Sequence, residues 1–518
     1  MGSRTWQALN TGHAPQPRGV QPNQPYSPPN ALRAAIVAPA TISTSSPTGT
    51  RLPRATDPHR PEVRRPHATA ASSPDNPSNP IADVQPWKTP QQSWFSKLWE
   101  QTKESLSIKQ IVQHNGRYHE RTKPVLDVAK RGGYQGARML FNPLWCYHCF
   151  FGVVMFLTFV GVIMVFSSSS ITMLSSAKSP WSQGANQAMF CALGLLLCAL
   201  GAHIPPRIYR GLSGILLIIS WFVQLLTLTP IGVEINGNRG WINIGFTTVQ
   251  PAEFMKLAVC IWMPLAVIIA KSRAADTRNN NSYAVPIIML GICCALVMLG
   301  KDMGTTMIVL IIGVIALLLG GMPSKWFWSM VVLAVVASTA LIIQSPNRLA
   351  RVTAAYTKCG TATGFADTCY QSVHAKYALA SGGFLGVGIG NSREKWNYLP
   401  EAHNDFIFAI IGEELGFVGT VMIVLLFVIL GWCLLCVALQ ATDRYTAMVL
   451  MCIAVWILGQ AMVNIMVVIG LLPVMGVPLP FVSAGGSSLV MCLGAAGVAM
   501  SMMRQQAQIA TATDRLSS

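Results

Sequence analysis

Residues 145–166 read WCYHCFFGVVMFLTFVGVIMVF, 22 positions without one Asp, Glu, Lys or Arg. The hydrocarbon core of a bilayer takes roughly 20 apolar residues in helical form, so a transmembrane helix is read here, at about 146–167. Working outward from it, similar runs recur at about 185–203, 211–229, 252–270, 284–300, 304–321, 327–344, 404–432, 446–469 and 486–503. The composition agrees: of 518 residues 52% are hydrophobic and 11% charged, against ~25% charged in an ordinary soluble domain. A soluble globular protein is excluded. The predicted fold is an all-α polytopic membrane protein of ten transmembrane helices.

The spans are preceded by a different kind of sequence. Residues 1–85 are rich in Pro, Ser, Thr, Ala and Asn and carry no sustained apolar period. Such a segment cannot bury enough surface to offset its ordering entropy, so a disordered cytoplasmic extension is expected. Its first 20 residues hold no apolar core of the kind a cleavable signal peptide needs. Residues 86–143 form a basic juxtamembrane region, where Trp94, Phe95, Leu98, Trp99, Leu106, Ile108 and Ile111 alternate with Lys97, Lys103 and Lys109. That pattern suggests one or two amphipathic helices, lying on an anionic leaflet or exposed to solvent. Residues 144–503 are the membrane domain and 504–518 a short cytoplasmic tail.

Short loops set the orientation. Arg207, Arg210, Lys271, Arg273, Arg278, Lys325, Arg444 and the basic stretch from Arg117 to Arg138 all fall on one side, which the positive-inside rule makes cytoplasmic. With ten spans both termini are then cytoplasmic, and a large extracytoplasmic loop, 345–403, joins helices 7 and 8. Its own basic residues do not count against this, since long loops obey the charge rule least. Most of the 13 cysteines sit inside apolar spans as small hydrophobes. Two C-x-x-C pairs, Cys146/Cys149 and Cys433/Cys436, lie within or at the ends of spans, each without a second pair in sequence, and no zinc or redox role is read from them. Cys359 and Cys369 share the outer loop, which faces an oxidising compartment, so a disulfide is predicted, two free thiols being the alternative.

Ionisable groups at membrane depth are expensive and hence functional candidates. Asp302, in Gly300-Lys301-Asp302-Met303-Gly304-Thr305-Thr306, sits in a hairpin so short that its carboxylate is fixed at the outer interface. There it could take a proton from a substrate hydroxyl or hold a divalent cation; it could equally be a helix N-cap. Arg239 and Lys256 could bind a phosphate, or Lys256 could simply pair with Glu253 one turn away. His403 and Asp405 precede a helix carrying Glu413 and Glu414, with no Ser or Cys at triad spacing. The glycines 382, 383, 386, 388 and 390 imitate a dinucleotide loop, but no βαβ context accompanies them. Pro478 to Ser488, which includes Ser487, is irregular backbone of the kind that lines a cavity.

Taken together, Asn238-Arg239-Gly240-Trp241-Ile242, Gln250 to Lys256, Asp302-Met303-Gly304-Thr305, His403 to Ala409, Gly412 to Gly416, Gly470-Leu471-Leu472-Pro473 and Pro480 to Ser488 resemble the SEDS family (shape, elongation, division and sporulation), and within it the division type. The resemblance spans residues 145–503. It departs at Gly300-Lys301, where the family usually has Gln-Pro, at Val474-Met475, often Thr-Lys, and at Ala484, often Tyr. The resemblance implies a peptidoglycan glycosyltransferase that polymerises lipid II into β-1,4 glycan strands of septal peptidoglycan outside the cytoplasmic membrane, releasing undecaprenyl diphosphate. It implies Asp302 as catalytic base, with Arg239, Lys256, His403, Asp405, Glu413, Glu414 and Ser487 binding substrate. A divalent cation, Mg or Mn, could assist; no organic cofactor is expected. The implied partners are a class B penicillin-binding protein transpeptidase and other division proteins, with no nucleic acid. A lipid II flippase, a non-catalytic division scaffold and an elongation-type polymerase are the competing readings.

Overall fold

The computed structural model describes residues 111–114, 117–120, 136–175, 177, 179 and 181–509, apart from 236, 246, 278–279, 357–365, 397 and 507–508. The extension to residue 85, the aromatic and basic stretch from Trp94 to Lys109, Cys359 and the tail beyond 509 lie outside the described residues. Ile111, last of the apolar set expected on an amphipathic helix, opens a strand instead. β1 (Ile111–His114) pairs antiparallel with β2 (Arg117–Glu120). The Asn-Gly sequence between them is the dipeptide most favourable to a tight hairpin.

From residue 143 the fold is helical. Its helices are α1 (Pro143–Ser175), α2 (Trp181–His203), α3 (Pro206–Leu225), α4 (Pro251–Thr277), α5 (Ala284–Leu299), α6 (Met303–Leu319), α7 (Ser324–Ile343), α8 (Pro346–Tyr356), α9 (Ala366–Ser381), α10 (Ile407–Gln440), α11 (Arg444–Val468) and α12 (Gly486–Met503). Among the described residues nine helices are long and apolar enough to cross a membrane, and α6, at 17 residues, is a shorter apolar helix. The chain is a polytopic helical membrane protein. Helices α8 and α9 both belong to the long segment read from sequence as one loop. A second departure is a small antiparallel sheet between α3 and α4, where β3 (Gly232–Ile235) pairs with β4 (Asn238–Asn243) and β4 with β5 (Thr248–Val249).

Packing inside a membrane depends on small residues that let backbones approach. α2 lies along α12 in this way: a Cβ on Gly497 would fall 2.4 Å from the Cys198 carbonyl oxygen. α1 lies along α10, and there the two C-x-x-C pairs approach one another, Cys146 Sγ and Cys436 Sγ both donating to the Leu140 carbonyl, at 3.5 and 4.0 Å. α4, α11 and α12 are the buried heart of the bundle, whereas α7 contributes no buried residue.

One kink organises the long segment. Gly416 in α10 has φ +69°, and a Cβ there would lie 2.3 Å from the Gly386 amide nitrogen. The glycine-rich stretch 382–390 is seated on that kink: Val387 N donates to Glu413 O and Gly388 N to Glu414 O, both at 3.0 Å, and Phe417 N donates to Gly383 O at 2.9 Å. The dinucleotide-like spacing is therefore turn chemistry against a bent helix. Cys369 is disulfide-bonded.

Candidate active site

The turn between α5 and α6 is the centre of the site. Gly300 and Lys301 close it through hydrogen bonds to Val297 O and Met298 O, and Lys301 takes φ +63°. Asp302 caps α6, its Oδ1 accepting from Thr305 N at 3.0 Å while Thr306 Oγ1 donates to the Asp302 carbonyl at 2.6 Å. The capping role is thus real. It leaves Oδ2 for another partner, and Gln250 Nε2 donates to it at 2.8 Å. The residue is 6% exposed, so the carboxylate is held rigidly from two sides.

Four other segments converge on this turn. Arg239 of β4 donates its backbone N–H to Gly300 O at 2.9 Å, and its Nη2 donates to Thr229 O at 3.1 Å. Gln250, just before α4, donates its backbone N–H to Ser487 Oγ at 3.3 Å, tying the first turn of α12 to the residue that holds Asp302. Segment 475–477 packs on the first turn of α6, where a Cβ on Gly304 would sit 2.6 Å from Met475 O. Arg348 of α8 donates from Nη2 to Lys301 O at 3.1 Å.

Asp405 faces the same space. A Cβ on Gly476 would lie 3.6 Å from its Oδ2, and Asn464 Nδ2 donates to both the Asp405 and Val477 carbonyls at 2.8 Å. Burial pushes its carboxyl up to about 7; Glu401 and Asp302 add to the rise and Arg351 of α8 opposes it. His403 accepts from Ala484 N through its carbonyl oxygen, and burial lowers its imidazole, with Glu401 opposing. Ser483 Oγ donates to Asn404 O at 2.7 Å. The motifs around 403 and 483 thus hold one another at the rim.

Three charged residues expected to bind substrate are engaged elsewhere. Lys256 is 1% exposed, its Nζ 2.7 Å from Glu253 Oε2 and 2.7 Å from Gln460 Oε1, over the Trp456 ring. The pairing alternative describes it, and a phosphate would have to displace a carboxylate. Glu413 accepts from Ser392 Oγ and from Arg393 N at 2.9 Å; Glu414 accepts from Ser167 Oγ at 2.8 Å and Lys395 Nζ at 2.9 Å. Each glutamate is 1% exposed. They bind this chain's own loop, because a buried carboxylate needs partners and the loop after α9 supplies them.

The arrangement offers a buried, oriented carboxylate, a second carboxyl of raised proton affinity and guanidinium groups around them. Such a set can remove a proton from a hydroxyl beside an anionic group. Among the described residues no group of three His, Cys, Asp or Glu side chains is placed to hold a metal ion. Gln250, Arg348 and Arg351 were not singled out from sequence. Gln250 could have been, as the one side chain with two hydrogen-bonding ends directly before the Pro251 helix start.

Residues 147–508 match the family of cell cycle proteins designated FtsW, RodA and SpoVE. Stage V sporulation protein E of Bacillus subtilis is 32% identical over 68% of this chain and 95% of its own length. The probable peptidoglycan glycosyltransferase FtsW of Mycobacterium tuberculosis is 34% identical over 72% of this chain and 70% of its own. Among solved structures, a chain from work on the structural coordination of polymerization and crosslinking by a peptidoglycan synthase complex is 26% identical, covers 69% of this chain and 98% of its own, and has a TM-score of 0.56. The rod shape determining protein RodA of Thermus thermophilus is 26% identical, covering 69% of this chain and 97% of its own, with a TM-score of 0.51.

Proposed function

The chain belongs to the FtsW, RodA and SpoVE family of cell cycle proteins, and from that premise we propose that it is a peptidoglycan glycosyltransferase polymerising lipid II into β-1,4 glycan strands. The names of its relatives support the activity. The observation that carries the chemistry is Asp302, buried and held between the α6 amide of Thr305 and Gln250 at the mouth of the bundle. In the reaction the acceptor sugar's 4-hydroxyl oxygen bonds to the donor's anomeric carbon and passes its proton to Asp302. The bond from that carbon to phosphate breaks, and undecaprenyl diphosphate leaves with the electron pair. Arg239 stands close enough to the turn to offset charge on the leaving group. Asp405, His403 and Ser487 line or brace the space in which the sugars lie.

In this reading α6 is also a span and brings the nine long helices to ten, both termini are cytoplasmic, and the site opens outside the cytoplasmic membrane at the septum. The basic ends of α3 and α11, where Arg210 pairs with Asp443 at 3.0 Å, form the opposite, cytoplasmic rim. A solved relative belongs to a synthase complex that couples polymerization to crosslinking. The same coupling here calls for a class B penicillin-binding protein as partner, with other division proteins around it. Were Mg or Mn to assist, Asp302 and Asp405 are the carboxylates that would hold it, and it would offset charge developing on the departing diphosphate.

The test is glycan formation from purified lipid II, with the transpeptidase present, for the native protein and Asp302→Asn. Asn keeps an oxygen for the cap but is no base, so polymer is expected to fall by ~10²–10⁴ while the fold and the complex persist. Polymer from Asp302→Asn at the native rate would remove Asp302 as the base. A native protein that moves lipid II between leaflets and makes no polymer would favour the flippase reading.

A further inference from the structure

α8 is a short helix that lies against the Asp302 turn. Arg348, Arg351 and Ala354 are spaced three residues apart and so share one face. Arg348 donates to Lys301 O at 3.1 Å and to Leu341 O at 3.3 Å; Arg351 is the positive charge that acts on Asp405; Ala354 is buried. At the end of the helix Tyr356 OH donates to Leu471 O at 3.2 Å. α8 therefore spans the Asp302 turn, Asp405 and the segment after α11.

We infer that Arg348 and Arg351 of α8 form a binding site for the diphosphate of a lipid-linked sugar, placed over Asp302 and Asp405. The inference rests on the polymerase reading for its ligand and on charge balance for its position. Asp302, Asp405 and Glu401 make the mouth acidic, and a diphosphate brought there is repelled unless cations face it. Lys256 is committed to Glu253 within the bundle, and Glu414 takes Lys395. Arg348 is fixed on the Asp302 turn, and Arg351 stands one helical turn further along the same helix. Arg348 spends two of its five donors on carbonyls, which fixes the group and leaves the rest of its fork for phosphate oxygens. Two forks one helical turn apart suit two linked phosphoryl groups. α7, which leads into α8, buries none of its residues, so a lipid tail has open helix surface beside it. This is a route by which a lipid-borne ligand reaches α8.

The experiment uses the full-length protein in lipid nanodiscs, carrying Asp302→Asn so that binding is read without turnover. The probes are undecaprenyl diphosphate, undecaprenyl monophosphate and inorganic diphosphate. Arg351→Gln is expected to weaken undecaprenyl diphosphate about 10-fold and Arg348→Gln/Arg351→Gln about 100-fold, since each charge-assisted contact contributes roughly that much. Arg351→Lys should retain more affinity than Arg351→Gln, and added salt should weaken the parent more than the double variant, neither of which loosened packing would produce. Inorganic diphosphate bound through the same arginines supports recognition of the phosphates alone. Binding of only the lipid-linked probes supports a ligand that also needs its tail. Unchanged affinity for undecaprenyl diphosphate in a double variant with native melting temperature overturns the site and leaves the polymerase standing. Arginine-dependent binding in a native protein that makes no glycan would remove the polymerase reading and keep the diphosphate site.

Discussion

Substituting Lys256 by Met separates two roles that this residue could play. Its ammonium is 2.7 Å from Glu253 Oε2, and both side chains are 1% exposed. Removing the cation leaves a carboxylate in the interior with no charge partner, at a cost of about 3–5 kcal/mol, whereas removing both charges of a buried pair is often neutral. Gln460 Oε1 keeps a donor in either case, because Trp456 Nε1 reaches it at 2.9 Å. Lys256→Met alone is therefore expected to lower the melting temperature in detergent sharply and to lose glycan synthesis with it. Glu253→Gln/Lys256→Met should recover most of the stability and most of the polymer. The assay is a melting curve paired with polymerisation of lipid II below the lowest melting temperature. A double variant that melts like the native protein yet makes no glycan would refute the reasoning, because Lys256 would then be acting on substrate.

Gln250→Leu removes the donor to Asp302 Oδ2 and keeps the cap, so polymerisation should fall about 10-fold with little change in melting temperature, in line with one lost charge-assisted hydrogen bond. Gly416→Ala places a Cβ 2.3 Å from the Gly386 nitrogen at φ +69°, and should destabilise by about 1–3 kcal/mol, read as a lower melting temperature and faster proteolysis at 382–396. Asp405 binds its proton more tightly in the fold, near 7, than the ordinary value of 3.8. Its contribution to stability is thus present below the unfolded value and lost as pH rises through about 7. Melting curves should show the native protein losing ground to Asp405→Asn between about pH 4 and 7 and levelling off above, and a difference that ignores pH would count against the buried carboxyl.

The spans were legible because a bilayer imposes one length on every crossing helix. Runs such as 145–166 announce themselves by the absence of charge. What the apolar pattern could not carry was the structure of the polar segments between spans. α8 and α9 are short and sit within a stretch whose polar composition reads as loop, and β3 to β5 occupy too few residues to show a period. Asp302 was legible for a physical reason: a three-residue hairpin between two apolar runs fixes any carboxylate it holds. The partners of Glu413 and Glu414 were not legible, because Ser392, Ser167 and Lys395 are distant in sequence or hidden in a loop. Arg348 and Arg351 escaped notice for the converse reason, since nothing local says which of the loop's basic residues face the turn at 301.

The charges of this chain divide by where the backbone is regular. Glu253, Lys256, Glu413 and Glu414 lie within helices whose backbone groups bond each other, and their side chains have to find protein partners; each finds one within 3 Å. Asp302, Asp405, Arg239 and Ser487 stand at helix ends, in turns or on a short strand, where unpaired backbone groups already require a polar surrounding. A charge in a helix interior is neutralised by the fold and becomes scaffold. A charge at a terminus can be oriented by the fold and still keep a lone pair or a donor for something that arrives. Asp302 has both properties at once, one oxygen given to the α6 cap and the other aimed by Gln250. That division explains why the candidate site gathers at one end of the bundle although the most deeply buried charges lie inside it.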